Sequence, residues 1–171
     1  MMIELLNWFQ TNHSQLKKDL LNCHHNFDER DTNPYHVEGD CWSHTMMVCK
    51  IAQLKGYDRV VQTACLLHDI GKPASRKINP KNNHVQFFGH EARSAKMAIP
   101  LLQELVERSM LTSSEAKEVE TLIALHGEVY KNHTAIKQKL HAQPHIWQHL
   151  LELSMCDDLG RFSKSMREVA L

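Results

Sequence analysis

The sequence predicts an all-α protein built as a single domain, on three observations. Apolar residues recur every three or four positions along most of the chain, which is the spacing of one face of an α-helix. No stretch shows the convincing apolar–polar alternation of a half-buried strand. Capping residues, glycines and prolines stand between the periodic stretches, where helices begin and end.

The predicted helices follow one another with short connections. Apolar periodicity places them at residues 2–10, 14–25, 41–55, 58–70, from about 90 past 106, 112–126, 131–141 and 144–159. Residues 26–40 form a turn-rich segment between two of them. Residues 74–88 are polar and lack helical periodicity, so we expect a surface loop there.

Local signals support several of these boundaries. Gly56 and Gly71 follow the last turns of two predicted helices, where glycine commonly ends a helix. The segment 112–115 (TSSE) has the spacing of a capping box. Pro144 suits the first turn of the last helix. Pro100 lies inside a predicted helix and is expected to kink it.

Composition excludes several classes of protein. The 171 residues, 42% of them hydrophobic, suffice for one core. The 20 Lys and Arg balance 20 Asp and Glu, which disfavours broad nucleic-acid binding but is compatible with a small phosphorylated ligand or an RNA end. No run of about 18 apolar residues is present, so we expect no membrane span. Five cysteines without a Cys-x-x-Cys pair and the lack of a signal sequence favour a cytoplasmic location.

Residues of the types that bind metals stand at five places: His44, the pair His68 and Asp69, His90, His126 and Asp157. All but His90 continue an apolar stripe of helical spacing. The stripes are Met47, Val48 and Ile51 with His44; Val61, Ala64 and Cys65 with His68; Val119, Leu122 and Ile123 with His126; and Ile146, Leu150 and Leu153 with Asp157. Because the five places are far apart in sequence, only the fold can bring them together.

Imidazole and carboxylate groups suit first-row divalent ions, so we expect one or two such ions per chain, with Mn, Fe, Ni, Co and Zn all open. At a helix end both His68 and Asp69 can reach neighbouring ions, and Asp69 can bridge two. Each residue alone has a simpler explanation, as a satisfied core histidine or a polar helix end. Four buried stripes that each end in a ligand type favour a metal site. A purely structural zinc site is disfavoured because no cysteine is placed to complete its shell.

Four segments carry a resemblance to a known family. They are residues 36–45 (HVEGDCWSHT), 66–73 (LLHDIGKP), 88–91 (FGHE) and 157–161 (DDLGR). Together they resemble the HD superfamily of metal-dependent phosphohydrolases, and the similarity is closest to the HD domain of some bacterial tRNA nucleotidyltransferases (CCA-adding enzymes). The match runs over residues 33–162, with residues 1–32 as an N-terminal helical lead-in. Because no nucleotidyltransferase head precedes the match, CCA addition is not implied.

The resemblance implies an all-α HD-domain bundle and a set of site residues. By this resemblance the ligands of a first metal are His44, His68, Asp69 and Asp157. His90 and His126 match the two extra histidines of dinuclear members. Asp158 is an alternative to Asp157, but the following Gly160 and Arg161 favour Asp157.

The implied function is a metal-dependent phosphohydrolase that cleaves phosphomonoester or 2′,3′-cyclic phosphodiester bonds of nucleotides or RNA ends through a metal-activated hydroxide. Asp69 is predicted to be catalytic by bridging the metals and orienting that hydroxide. One alternative is the hydrolysis of dinucleoside polyphosphates, which the same six ligands allow. Another is a module that binds nucleotides or RNA ends without turnover.

Four side chains are predicted to contact substrate: His36, Lys72, Arg93 and Arg161. Lys72 is also predicted to be catalytic, by adding positive charge where charge develops on phosphate, although a lysine there also suits the helix dipole. Arg93 and Arg161 each follow a predicted ligand by about one helical turn and offer forked donors for phosphate, or form ion pairs. His36 either donates a proton to the leaving group or closes the segment 26–40.

Overall fold

A computed structural model describes residues 1–27, 36 and 38–161. These residues form nine helices and one two-stranded hairpin: α1 (Met2–Asn12), α2 (Ser14–Leu21), α3 (Cys41–Lys55), α4 (Arg59–Leu67), α5 (Lys72–Ser75), β1 (Lys77–Ile78), β2 (Val85–Gln86), α6 (His90–Glu107), α7 (Ser113–Leu125), α8 (Glu128–Lys139) and α9 (Pro144–Leu159). The predicted all-α fold is confirmed. No helix of the described ranges is long and apolar enough to cross a membrane.

The capping signals in the sequence form the expected local structures. The Asp40 carboxylate accepts a hydrogen bond from the Ser43 amide and begins α3, and Gly56 ends that helix at φ 69°. The Thr112 side chain accepts from the Glu115 amide, while the Glu115 side chain accepts from the Thr112 amide, which completes the predicted capping box of α7. Pro144 occupies the first turn of α9.

Helix α4 forms the centre of the core. All of its residues from Val60 to Leu67 are buried, and it packs against α1, α3, α7 and α9. Helices α6 and α7 pack along each other on one side of this centre. A helix that is buried on every side belongs in the interior, and the residues that directly follow α4 therefore start from the centre of the core.

Several predicted boundaries are wrong for identifiable reasons. The helix predicted over 14–25 ends at Leu21, because residues 23–25 pair with residues 39–41 through the bridge His24–Asp40. The helix predicted over 58–70 ends at Leu67 in a turn that leads into α5. The predicted loop 74–88 contains the end of α5 and the antiparallel hairpin of β1 and β2, whose two-residue strands are too short to produce an alternating pattern.

The helices on either side of α7 bear on two further predictions. Pro100 lies inside α6, which runs from His90 to Glu107, and the kink expected there stays a prediction. The helix predicted over 131–141 begins earlier, at Glu128, and is interrupted by non-helical backbone at Asn132. Of the predicted core range 33–162, residues 33–35, 37 and 162 lie outside the described residues. Most of the predicted turn-rich segment lies there too.

Candidate metal centre

The predicted ligand positions converge because they stand at helix ends. His68 and His126 are the C-terminal capping residues of α4 and α7, and Asp157 lies in the last turn of α9. His90 is the first residue of α6, and His44 lies in the first turn of α3. All of these except half-buried His90 are buried, as is Asp69. The structure therefore brings all six predicted ligands into one interior region.

The six residues form two groups, and within each group three potential ligand atoms lie within 4.8 Å of one another. The first group consists of His44, His68 and Asp157. The second group consists of Asp69, His90 and His126. Each has one carboxylate and two imidazoles, which is a donor set suited to a first-row divalent ion.

Asp69 stands between the two groups, with one oxygen facing each. Its Oδ2 lies 3.3 Å from His68 Nε2 and 3.8 Å from His44 Nε2. Its Oδ1 lies 3.3 Å from His90 Nε2 and 3.9 Å from His126 Nε2. With one oxygen on each side, Asp69 could contribute a ligand to an ion held by either group.

Backbone carbonyls fix the tautomer of three of these histidines. Nδ1 donates to the carbonyl three residues earlier in each case: from His68 to Cys65 (2.9 Å), from His90 to Phe87 (2.9 Å) and from His126 to Ile123 (2.7 Å). Because a carbonyl oxygen only accepts, Nδ1 carries the proton. In the neutral ring Nε2 then carries the lone pair, and it faces the site as a metal ligand requires.

His44 is held by carboxylates instead. Its Nδ1 lies 3.1 Å from Glu38 Oε1, and its Nε2 lies 2.9 Å from Asp157 Oδ1. Burial by itself lowers the pKa of His44, but hydrogen bonds to Asp157 and Glu38 outweigh it and raise the pKa to about 9. The proton between His44 Nε2 and Asp157 occupies a position where a metal ion would satisfy the same two lone pairs.

Buried polar atoms at the centre test whether these residues fit a metal. Among the described residues, none makes a well-directed hydrogen bond to His68 Nε2 or to either Asp69 oxygen, although Lys72 Nζ lies 2.6 Å from Asp69 Oδ2. Unsatisfied buried polar atoms are costly. Against burial, which raises it, neighbouring His68 and Lys72 hold the pKa of Asp69 well below its usual range. Ionised oxygens and an open imidazole lone pair therefore fit a divalent cation.

His126 is also in the protonation state of a ligand. Burial, together with the nearby His68, lowers the pKa of His126 to about 4. Against burial, hydrogen bonding to His44 and the nearby His68 hold the pKa of Asp157 well below its usual range. Near neutral pH His126 is therefore a neutral imidazole and Asp157 a carboxylate.

Lys72, the first residue of α5, is buried against the centre. Its Nζ lies 2.6 Å from Asp69 Oδ2 and 3.3 Å from His25 Nε2, and it sits over the Phe87 ring. Burial lowers the pKa of Lys72, but the Asp69 carboxylate outweighs it and raises the pKa above its usual value. The lysine is therefore a fixed positive charge beside the carboxylate that faces both groups.

His36 and Arg161 also lie at the centre, whereas Arg93 does not. His36 Nδ1 donates to Glu38 Oε1 at 2.7 Å. Arg161 Nη2 donates to Asp157 Oδ2 at 2.6 Å, so this guanidinium holds a predicted ligand. Arg93 is exposed on α6, and within the described part of the chain its side chain makes no hydrogen bond or ion pair.

Comparison with known proteins identifies the family. The family model described as the HD domain matches residues 41–155, which contain all six predicted ligands except Asp157. The chain belongs to the HD domain family. This superfamily consists of metal-dependent phosphohydrolases, and the buried His and Asp groups described above are able to hold a metal.

Individual relatives match the same region of the HD domain. A protein named multifunctional CCA protein from Polaromonas naphthalenivorans is 35% identical over 99 residues, which are 57% of this chain and 21% of the relative. Its namesake from Methylobacillus flagellatus is 34% identical over 106 residues, 61% of this chain and 24% of the relative. The aligned region thus spans less than a quarter of these curated relatives.

Sequence reasoning assigned no role to three residues that shape this HD domain site. Glu38 contacts both His36 and His44, and its place in the segment 36–45 was the available signal. Tyr130 donates to the Ser154 carbonyl at 3.0 Å and lies 3.4 Å from Asp157 Oδ2. His25 stacks on the His36 ring at 4.1 Å, and no pattern indicated it because residue 25 was predicted to be helical.

His25, His36 and Glu38 form a third group whose potential ligand atoms lie within 4.8 Å of one another. His25 Nδ1 donates to the Gly39 carbonyl, and its Nε2 accepts from Lys72 Nζ at 3.3 Å. Burial and the Lys72 charge hold the pKa of His25 well below its usual value. A cation already occupies the open side of this imidazole, so the group suits a supporting role better than a third metal.

Proposed function

We propose that this HD domain is a phosphohydrolase that cleaves a phosphomonoester or a 2′,3′-cyclic phosphodiester at a nucleotide or RNA end. The observation that carries the proposal is the position of Asp69, whose two oxygens face two separate groups of ligand-type residues. Paired ion sites that share a carboxylate suit phosphoester hydrolysis because the two ions can bind both the attacking and the leaving oxygen.

In this proposal His44, His68 and Asp157 would hold one ion and Asp69, His90 and His126 would hold a second, with Asp69 Oδ2 facing the first group. Mn, Fe, Ni, Co and Zn all suit this donor set. When bound, such ions offset charge on the phosphoryl oxygens and make water a better nucleophile. The protein's part is to fix the donors in advance, which the carbonyl-bound Nδ1 atoms of three histidines accomplish.

Lys72 supplies positive charge beside the reacting phosphate. Its buried ammonium is held 2.6 Å from Asp69 Oδ2 and directed by His25, so it cannot swing into solvent. A charge fixed before the reaction stabilises a transition state without reorganisation. The geometry therefore favours electrostatic stabilisation over a role for Lys72 at the helix end alone.

His36 is better suited to accept a hydrogen bond than to donate a proton from its charged form. Burial lowers the pKa of His36, although Glu38 opposes the shift, so the ring is neutral near pH 7. Its Nδ1 donates to Glu38, which leaves Nε2 as an acceptor for a substrate hydroxyl. Arg161 supports Asp157, and Arg93 remains a proposed phosphate contact at the exposed start of α6.

The relatives support an RNA-related substrate. The proteins that match this region are named multifunctional CCA proteins. A 2′,3′-cyclic phosphate or a terminal phosphate at an RNA end presents the phosphoryl group and the neighbouring ribose in a compact form. The near-neutral chain, with 20 basic and 20 acidic residues, is consistent with recognition of such an end over a long polyanion.

The test measures hydrolysis by the metal-loaded protein and by two variants. We expect release of phosphate from nucleoside monophosphates, or opening of nucleoside 2′,3′-cyclic phosphates, that stops when a chelator is added. Asp69→Ala should lower kcat/KM at least about a thousandfold, because it removes the carboxylate whose two oxygens face histidines of both groups. The control Glu107→Ala removes an exposed acid at the C-terminal end of α6, the end opposite His90, and should retain the parent rate.

The products distinguish the alternatives. Release of a nucleoside diphosphate from dinucleoside polyphosphates, without action on the other substrates, would favour a dinucleoside polyphosphate hydrolase. Metal-dependent nucleotide binding without any turnover would favour a binding module. Hydrolysis by Asp69→Ala at the parent rate would contradict the proposed function itself.

A further inference from the structure

An open cleft adjoins the second group of the metal centre. It has a volume of about 350 Å³ and is lined by residues 86–91 and by Lys131 of α8. Small-molecule sites occupy roughly 300–1,000 Å³, so the cleft has room for one aromatic ring system. His90 belongs to both the cleft and the centre, because its Nε2 lies 3.3 Å from Asp69 Oδ1.

Two consecutive phenylalanines at this cleft have opposite environments. Phe87 packs against the core, with its ring 5.6 Å from the His25 ring and under Lys72 Nζ. Phe88 is 77% exposed, the largest exposed fraction of any large hydrophobic side chain among the described residues. Exposure of a whole phenyl ring forgoes the free energy that its burial would provide. A ring left in solvent beside a candidate catalytic centre therefore points to a ligand.

The position of Phe88 is tied to the metal centre by hydrogen bonds. The backbone N–H of His90 donates to the Phe87 carbonyl at 3.1 Å, and its ring Nδ1 donates to the same oxygen at 2.9 Å. Gly89, at φ 71°, makes the turn between them. Phe88 therefore stands in a backbone turn that a candidate ligand closes, next to the metal centre.

Charge at the cleft favours a neutral occupant over a second phosphate. Lys131 Nζ is the cationic group that lines it, and it lies 3.7 Å from Glu91 Oε1 and 3.6 Å from Glu128 Oε1. Two carboxylates near one exposed ammonium leave no excess of positive charge for an anion. An uncharged planar group fits a cleft without excess positive charge and can stack on the exposed ring of Phe88.

We propose that the cleft binds the nucleobase next to the scissile phosphate, stacked on the ring of Phe88. The inference rests on the proposed function and adds the contact that distinguishes a nucleotide from other phosphate esters. Base–aromatic stacking accepts any base, because every base has a π-face. The site is therefore expected to select for the presence of a base and only weakly for its identity.

The experiment compares a substrate with and without a base. The pair is adenosine 2′,3′-cyclic phosphate and 1-O-methylribose 2′,3′-cyclic phosphate, which share the reacting group. We expect Phe88→Ala to lower kcat/KM for the nucleotide about tenfold and to leave the base-free substrate within about twofold. Phe88→Trp should keep the parent preference. Phe88→Leu, which is apolar but has no π-face, should behave like Phe88→Ala.

A matched control comes from another exposed apolar residue. Leu54 is 74% exposed on α3, outside the lining of the cleft. Leu54→Ala should leave kcat/KM unchanged for both substrates. Because both side chains are exposed, we expect both variants to fold. An equal loss for both substrates in Phe88→Ala, or full activity of Phe88→Leu, would overturn the inference.

Binding measured by calorimetry separates this inference from the proposed function. Metal-loaded protein is titrated with AMP and with ribose 5-phosphate. If the parent binds AMP without hydrolysing any substrate, the proposed function fails, but Phe88→Ala still tests whether the cleft binds the base. AMP binding about tenfold weaker in Phe88→Ala would support the inference, and unchanged binding would overturn it. If the parent neither binds AMP nor discriminates it from ribose 5-phosphate, the inference fails.

Discussion

The two ligand groups of the centre differ in burial and in how their ligands are supported. In the first group all three members are buried, and carboxylates from Glu38 and Asp157 lie at both nitrogens of His44. In the second group His90 is half-buried beside an open cleft, and both histidines donate Nδ1 to backbone carbonyls, as His68 of the first group also does. The difference in support therefore lies at His44. Similar donor types are thus placed in two environments, one closed and one accessible.

This difference indicates a division of roles. A carboxylate on the outer nitrogen of a ligating histidine raises its basicity and strengthens metal binding. Asp157 is further held by Arg161, which donates to its Oδ2 at 2.6 Å. We therefore expect the first group to bind its ion more tightly, and the second group to hold the ion that exchanges and meets substrate.

The largest expected effects come from substitutions that remove one ligand from each group. Asp157→Ala should abolish the tight site and lower kcat/KM at least about a thousandfold, because its loss also leaves Arg161 without its short ion pair. His126→Ala should retain the tight ion and lose the weaker one, with a loss of several hundredfold. Metal titration of both variants checks the order. Loss of the tight ion in His126→Ala, with retention in Asp157→Ala, would reverse the assignment.

The pH dependence of the metal-free protein sharpens the same contrast. The pKa of His44 is raised from 6.5 to about 9, so its stabilising contribution is complete below pH 6.5 and is lost as the pH rises to about 9. The pKa of His126 is lowered from 6.5 to about 4, so stability is lost as the pH falls from 6.5 to about 4. Each effect amounts to about 3 kcal/mol.

Urea unfolding across the pH range, with a chelator present, measures the loss of unfolding free energy on both the alkaline and the acid side. In His44→Gln the loss of unfolding free energy on the alkaline side should shrink, and in His126→Gln the loss on the acid side should shrink. Titrations elsewhere in the chain cancel, since the comparison is between variants of one protein. If both substitutions reduced the pH dependence of the unfolding free energy on the same side, the two groups would not differ in the way described.

A smaller effect is expected from the carboxylate behind the first group. Glu38→Gln keeps the shape and an oxygen beside His44 Nδ1, which lies 3.1 Å from Glu38 Oε1 in the parent, but removes the negative charge. Loss of a carboxylate behind a ligating histidine weakens metal affinity roughly 10- to 100-fold, and we expect about tenfold here. Calorimetric titration should show this change in the tighter site alone. The equally conservative Glu91→Gln, beside the second group, serves as the comparison, and a change confined to the weaker site in Glu38→Gln would contradict the division of roles.

Most of the fold was predictable because each helix carries its own local signal. The capping box at Thr112, Asp40 and Gly56 around α3, and Pro144 all act on neighbouring backbone. The prediction failed where distant backbone decides. Residues 23–25 leave the helical pattern because they pair with residues 39–41, a contact that no local periodicity records. The two-residue strands of the hairpin carry too little pattern to detect.

The site shows the same limit. His126 and Asp157 continue buried stripes of α7 and α9, so the sequence placed them on inward faces. For His68 the stripe was less informative, because α4 is buried on every side. The supporting residues His25 and Tyr130 act through contacts across the fold, and neither stands at a spacing that predicts them.

The most direct test of two ion sites sharing Asp69 is the anomalous diffraction of crystals grown with Mn²⁺. We predict two peaks, one among His44, His68 and Asp157 and the other between Asp69 Oδ1, His90 and His126. A single peak at saturating metal, or a peak among His25, His36 and Glu38 in place of the second, would contradict the account.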